Sequence, residues 1–159
     1  MKKKLIILIK RAILKNIPEI VAIHKNCVLK TNANFYSKEV INEWIDQISE
    51  KSVNEQFKNS SWYILLIKNK IIGFAQFSLN DGELYQININ SRYQNRGYGK
   101  LLYDFIEKQF KKNHNKKIFL NSTLNAFEFY KALGFKSLGE IKFKLNKYKI
   151  KMIKMKKLI

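Results

Sequence analysis

Apolar positions recur along the chain at two spacings, one of which suits strands and the other helices. The short run Leu5 to Ile9, ended by Lys10 and Arg11, reads as a first strand. A helix then opens at an Asn cap, with Pro18 in its first turn and Ile17, Ile20, Val21, Ile23 and Val28 at helical spacing. Ser37 followed by Lys38 and Glu39 resembles a second cap, and Val40, Ile41, Trp44, Ile45 and Ile48 carry this helix through Glu50. Trp62 to Ile67, Ile71 to Leu79 and Glu83 to Asn90 are predicted as three consecutive antiparallel strands, the last two joined by the strong turn Asn80-Asp81-Gly82. From Gly99 to Lys112 the residues Leu101, Leu102, Phe105, Ile106 and Phe110 share one helical face, and Lys117 to Asn121 returns to strand. A further helix starts near Ser122 or Thr123 and stops at Gly134, a residue suited to the left-handed turn that ends helices. Ile141, Phe143 and Leu145, then Tyr148, Ile150 and Met152, alternate with mostly basic residues and predict a terminal hairpin with an apolar and a basic face. The order is βααβββαβαββ, an α/β fold of the α+β type.

With 159 residues, no linker and no repeat, the expectation is a single domain over 1–159. Hydrophobic residues at 46% exclude a disordered chain. The net charge of +19 rests almost wholly on lysine, since Arg11, Arg92 and Arg96 are the arginines. Two readings compete: a surface for polyanions, or codon bias, because Lys, Asn and Ile rise together. The second is favoured, as lysine is a poorer bidentate reader of phosphates and bases than arginine. The lone Cys27 and nearby His24 offer too few ligands for a metal, so no metal site is expected. Met1-Lys2-Lys3-Lys4 mimics the start of a signal peptide, but the five-residue apolar run behind it is too short, and no stretch is long enough for a membrane span. A cytoplasmic protein is the expectation.

The segment Gln94-Asn95-Arg96-Gly97-Tyr98-Gly99-Lys100 lies between a predicted strand and a predicted helix. Glycines there let the backbone turn tightly and approach an anion, and free N–H groups at a helix start favour negative charge. Arg96 and Lys100 add positive charge. An ATP-binding P-loop is excluded, because Leu101 stands where Ser or Thr is needed and no glycine lies five residues before Gly99. A dinucleotide fingerprint fails at Leu102.

Downstream comes Ala126-Phe127-Glu128-Phe129-Tyr130-Lys131-Ala132-Leu133-Gly134-Phe135. Gln-x-x-Gly-x-Gly opening one helix, followed by Ala-x-x-Phe-Tyr-x-x-x-Gly-Phe on the next, resembles the GNAT superfamily of acetyl-coenzyme-A-dependent N-acetyltransferases. The resemblance implies a mixed, mostly antiparallel central sheet of about seven strands flanked by about four helices. It implies acetyl-CoA as co-substrate, its pantetheine arm along Ile87-Asn88-Ile89 and its pyrophosphate on the amides of Asn95, Arg96, Gly97, Tyr98, Gly99 and Lys100, with Gln94 bracing the loop. Thr123 and Asn125 would contact coenzyme A. Many members carry asparagine where this chain has Thr123, and a helix cap is the other reading of that residue.

Tyr130 matches the family's tyrosine that protonates the departing thiolate. A phenol beside that sulfur acts as a general acid, an effect of about 10²- to 10⁴-fold. An amine of lysine-like pKa, about 10.4, must first lose a proton, at a cost of roughly 4.6 kcal/mol at pH 7. Glu83, in the register of the histone-acetylating members, is the implied base, directly or through ordered water. The acceptor, a primary amine on a small molecule, peptide or protein, would enter beside the first two helices. Phe35, Tyr36 and the acidic stripe Glu39, Glu43, Asp46 and Glu50 are then substrate-side candidates. The alternative is a regulatory module on the same scaffold that binds nucleic acid through the lysine-rich hairpin. A homodimer through exposed strand edges is a further expectation.

Overall fold

The computed structural model describes residues 5–159, so the Met1–Lys4 reading falls outside the described residues. Seven strands make one sheet in the order β1-β2-β3-β4-β5-β7-β6. They are β1 (Ile7–Arg11), β2 (Ser61–Ile67), β3 (Lys70–Ser78), β4 (Glu83–Ile89), β5 (Lys117–Thr123), β6 (Lys136–Lys144) and β7 (Lys149–Leu158). The helices are α1 (Ile17–Lys30), α2 (Lys38–Gln47), α3 (Glu50–Phe57), α4 (Tyr98–Lys112) and α5 (Phe127–Ala132).

Three boundaries differ from expectation. The predicted second helix is two, because Ile48 and Ser49 are both extended and Ser49 starts α3 afresh by accepting the Ser52 N–H at 3.1 Å. Strand β1 runs Ile7–Arg11 rather than Leu5 to Ile9, since its register against β2, Ile7↔Ile67 through Arg11↔Tyr63, decides its extent and apolar continuity does not. The helix expected from Ser122 or Thr123 starts at Phe127; β5 continues through Thr123, paired with Met152, and a 3₁₀ turn follows.

The sheet buries both faces. On one, Ile20 and Val28 of α1, with Ile41, Trp44 and Val53, pack on Trp62, Ile64 and Phe74. On the other, Leu102, Ile106 and Phe110 of α4 meet Leu65, Ile72, Phe77, Leu84, Ile118 and Met155. Each such side chain contributes about 1.5–3 kcal/mol of burial.

Two irregularities of β4 shape everything that follows. It runs parallel to β5 but pairs only at Glu83↔Phe119 and Leu84↔Leu120, after which the strands part. Against β3, Gln76 faces Gln86 while Phe77 faces Leu84, so Tyr85 is an extra, bulged residue. In a regular strand Glu83 and Gln86 point to opposite faces; the bulge puts Glu83, Gln86 and Asn88 on one. Gly73 lets β4 lie close, because a Cβ there would stand 2.5 Å from Ile89 Cδ1 and 2.8 Å from the Asn88 carbonyl.

Candidate active site

Where β4 and β5 part, a cleft of about 980 Å³ opens between the two helical layers. One side is largely main chain. From Tyr85 to Ile89, β4 has β3 on one edge and no strand on the other. The turn beyond reverses direction with left-handed φ values at Asn95 (60°) and Gly97 (85°), the second cheap only for glycine. Nothing lies within 4 Å of a Cβ placed on Gly97, so that space is open; at Gly99 a Cβ would touch the Phe129 ring at 3.3 Å, so Gly99 serves the packing of α4 on α5.

Side chains tie this turn down. Gln94 Nε2 donates to the Ile89 carbonyl at 2.8 Å, and its Oε1 accepts from Thr31 Oγ1 at 3.2 Å. Cys27 Sγ donates to the same carbonyl at 3.1 Å, and the Ser91 N–H donates to Asn26 Oδ1 at 2.8 Å. The end of β4 and the turn are thereby moored to α1. Arg96 stacks over the Tyr93 ring and Lys100 pairs with Asp104 at 2.8 Å, leaving both cations on the rim. The first turn of α4 carries free N–H groups and the positive end of a fifteen-residue helix dipole.

On the opposite side stand Thr123, Asn125, Phe129 and Tyr130. Thr123 makes no side-chain cap bond. Asn125 Oδ1 is buried without a hydrogen-bond partner among the described residues, an acceptor aimed at nothing the protein supplies. Tyr130 is 6% exposed, edge-on to Phe129 and Phe135. Burial pushes its phenol well above the ordinary range, so it keeps its proton at neutral pH.

Glu83 lines the cleft at the closed end of the strand opening and also borders a second cavity of about 330 Å³ with Asp81, Asn121 and Lys154. Asn121 Nδ2 reaches its carboxylate at 3.5 Å. Desolvation and the Asp81 charge raise its pKa, against a lowering by Lys154, as a proton acceptor working near neutral pH requires.

Residues 32–159 match the family described as the Acetyltransferase (GNAT) domain. The chain belongs to the GNAT acetyltransferase family. It is accordingly an acyltransferase with acetyl-CoA as co-substrate. An uncharacterized N-acetyltransferase in the pepI 3′ region of Lactobacillus delbrueckii subsp. lactis is 24% identical over 152 residues, covering 83% of this chain and 86% of the relative. A GCN5-related N-acetyltransferase from Rhodopseudomonas palustris shares the fold with a TM-score of 0.90 at 18% identity, over 96% of this chain and 95% of that one. The PaiA N-acetyltransferase of Thermoplasma acidophilum, solved in complex with coenzyme A, aligns with a TM-score of 0.71 at 19% identity, over 97% of this chain and 99% of that one. The nucleic-acid alternative gains no support from these comparisons.

Within this GNAT cleft the structure gathers Glu83, Ile87, Asn88, Ile89, Gln94, Asn95, Gly97, Tyr98, Gly99, Lys100, Thr123, Asn125 and Tyr130 along its walls; Arg96 lies just outside. The substrate-side candidates are elsewhere. Phe35 is exposed and Tyr36 is a strut, its hydroxyl donating to the Lys151 carbonyl at 2.6 Å and accepting the Leu124 N–H at 3.0 Å. No member of the acidic stripe lines the cleft. Glu43 accepts from the Lys147 N–H at 2.8 and 3.0 Å and from the Tyr148 N–H at 2.9 Å, which fixes the β6–β7 turn, and Glu50 belongs to α3.

In their place stand Gln47 and Ile48 at the α2–α3 break, Ser52 and Gln56 of α3, and Phe143, Lys144 and Leu145 of the hairpin. The Ser49 cap was the available signal for that break. His24 and Cys27 also line the cleft; burial lowers the histidine to about 4 and raises the thiol to about 12, so both are uncharged at neutral pH. Among the described residues no group of three or more His, Cys, Asp or Glu is placed to hold a metal, and no helix is long and apolar enough to cross a membrane.

Proposed function

We propose that the protein transfers the acetyl group of acetyl-CoA directly to a primary amine, on a small molecule or a peptide or protein, with both substrates bound together in the cleft. The free edge of β4 at Ile87, Asn88 and Ile89 takes the pantetheine arm by strand-like hydrogen bonds. The pyrophosphate lies on the amides from Asn95 to Lys100, with Arg96 and Lys100 adding charge, and Asn125 Oδ1 accepts a donor from the coenzyme beside Thr123. The observation that carries this reading is the one-sided β4 edge running straight into a left-handed turn and a helix N-terminus.

The amine approaches from the face shared by Glu83, Gln86 and Asn88. Its ammonium proton leaves to Glu83; at about 3.3 Å per residue Glu83 lies roughly 13 Å along β4 from Ile87, so a chain of ordered waters carries the proton. The free amine forms the C–N bond, the C–S bond breaks, Tyr130 gives its proton to the departing thiolate, and the second proton shed by the nitrogen restores the phenol. Calorimetric titration with acetyl-CoA tests this. Native protein binds at micromolar concentration, and Gly97→Trp, which fills the open space beside the turn and strains its φ, weakens binding more than 100-fold. Equal binding by both proteins would place the coenzyme elsewhere.

A further inference from the structure

The acceptor side of the cleft is faced by a chain of side-chain amides whose direction is set at its far end. Trp62 Nε1, which can only donate, gives its hydrogen to Ser60 Oγ at 3.0 Å. Ser60 passes its own hydrogen to the Gln56 carbonyl, which can only accept, at 2.8 Å. With that proton used, Ser60 Oγ must accept from the next residue, so the amide nitrogen of Gln76 faces it at 3.0 Å and also donates to Gln56 Oε1 at 3.0 Å. The Gln76 oxygen is thereby turned to β4, where Gln86 Nε2 donates to it at 2.8 Å. Asn88 Nδ2 then donates to Gln86 Oε1 at 2.7 Å, and the chain ends on Asn88 Oδ1, which accepts no hydrogen bond among the described residues.

Gln76 is 5% exposed and lies behind the cleft wall, while Gln56, Gln86 and Asn88 line it. Flipping any one amide sets like against like, oxygen facing oxygen or N–H facing N–H, in a partly dry site, a penalty felt along the whole chain. The charges around it are few. Glu83 is the single carboxylate among the residues lining the cleft, whose lysines are Lys100 of α4 and Lys144 of the hairpin.

Building on the acetyl-transfer reading above, we propose that this chain sets acceptor specificity. Gln76 acts as a positioning residue that holds the Asn88 side-chain oxygen toward the incoming amine, and the cleft takes a singly charged amine carried on a neutral amide frame. Asn88 therefore serves both substrates, its backbone the coenzyme and its side chain the acceptor. A polyamine is disfavoured, because Glu83 is the single carboxylate lining the cleft, where Lys100 and Lys144 add like charge, and Asp81 belongs to the separate cavity it shares with Glu83 and Lys154.

Thiol release from acetyl-CoA is followed with L-alanylglycinamide and with spermidine. The dipeptide amide is turned over at least tenfold more efficiently than spermidine. Gln76→Met, which keeps volume and removes the relay, raises KM for the dipeptide amide about tenfold while kcat and the Kd for acetyl-CoA stay within about twofold. Combining it with Asn88→Ala adds nothing to the KM of Asn88→Ala alone, since both act through one oxygen. Ser60→Ala removes the hydroxyl whose proton is committed to the Gln56 carbonyl and which therefore sets the direction, and raises KM about threefold. Spermidine preferred, neither probe used by a protein that binds acetyl-CoA, additive KM effects, or an unchanged KM in the Ser60 variant would each overturn the proposal. Failure of native protein to bind acetyl-CoA would instead sink the reading beneath it, and this proposal with it.

Discussion

On the side of the cleft proposed for the coenzyme, the β4 wall is largely main chain: its free edge and the amides between Asn95 and Lys100. On the side proposed for the acceptor, the polar groups are side-chain amides and a hydroxyl from Gln47, Ser52, Gln56, Gln86 and Asn88, set among Ile48, Phe143 and Leu145. A main-chain site needs backbone bent in a way few residues tolerate, so it fixes glycine at set positions. A side-chain site needs only that every donor meet an acceptor, and many residue combinations satisfy that. The first arrangement suits a ligand shared across a family, and the second suits one that differs from member to member.

The largest effect is expected where the two sides meet. Tyr130→Phe lowers kcat by about 10²- to 10⁴-fold while leaving acetyl-CoA affinity unchanged; a matching loss of affinity in calorimetry would mean that the coenzyme side depends on this side chain after all. Glu83→Gln removes the acidic limb of the kcat/KM profile against pH, a limb that the raised carboxyl pKa puts higher than for an ordinary glutamate.

His24, in α1 against Phe74, bears on stability. Its folded pKa of about 4 lies below the unfolded value of 6.5, so the unfolded chain takes up the proton first. Stability is whole above pH 6.5 and falls as pH drops toward 4, by an amount that the ring's partial exposure to the cleft reduces. Urea unfolding across that range measures the slope, and His24→Leu flattens it; an unchanged slope would assign it to other groups.

The smallest effect concerns the hairpin that closes the acceptor side. Glu43→Ala removes the acceptor of two backbone N–H groups and lowers stability by about 1–2 kcal/mol. A shift in the urea midpoint equivalent to less than about 0.5 kcal/mol would show that the β6–β7 turn holds itself.

The same contrast explains what the sequence made legible. Gly97 and Gly99 stand out because positive φ and close helix packing exclude other residues, and those constraints survive as a readable spacing. The order of strands and helices followed from periodicity. The α2–α3 break did not, because Ile48 continues the apolar stripe of Ile41, Trp44 and Ile45 and so reads as one more helical turn. The bulge at Tyr85 left no trace either, having neither glycine nor proline, yet it decides that Glu83 faces the same way as Gln86. One signal was present and unread: Gln76, a polar residue inside the apolar run from Ile71 to Leu79, has to find partners once buried. Tyr36 and the acidic stripe looked like substrate contacts by their place beside the first helices, but Tyr36 and Glu43 hold a loop and the hairpin, and none of the stripe lines the cleft.

The last strand is also the one that completes the middle of the sheet. β7 lies between β5 and β6, so β5 cannot acquire its antiparallel neighbour until the chain has been made through Leu158, some 35 residues after β5 itself ends at Thr123. At about 5–20 residues per second of synthesis, that leaves an apolar strand with one edge open for roughly two to seven seconds. Ile118, Leu120 and Met155 can close their core only in that final step. The nascent protein thus passes through a stage in which a stray strand from another chain competes for the place of its own.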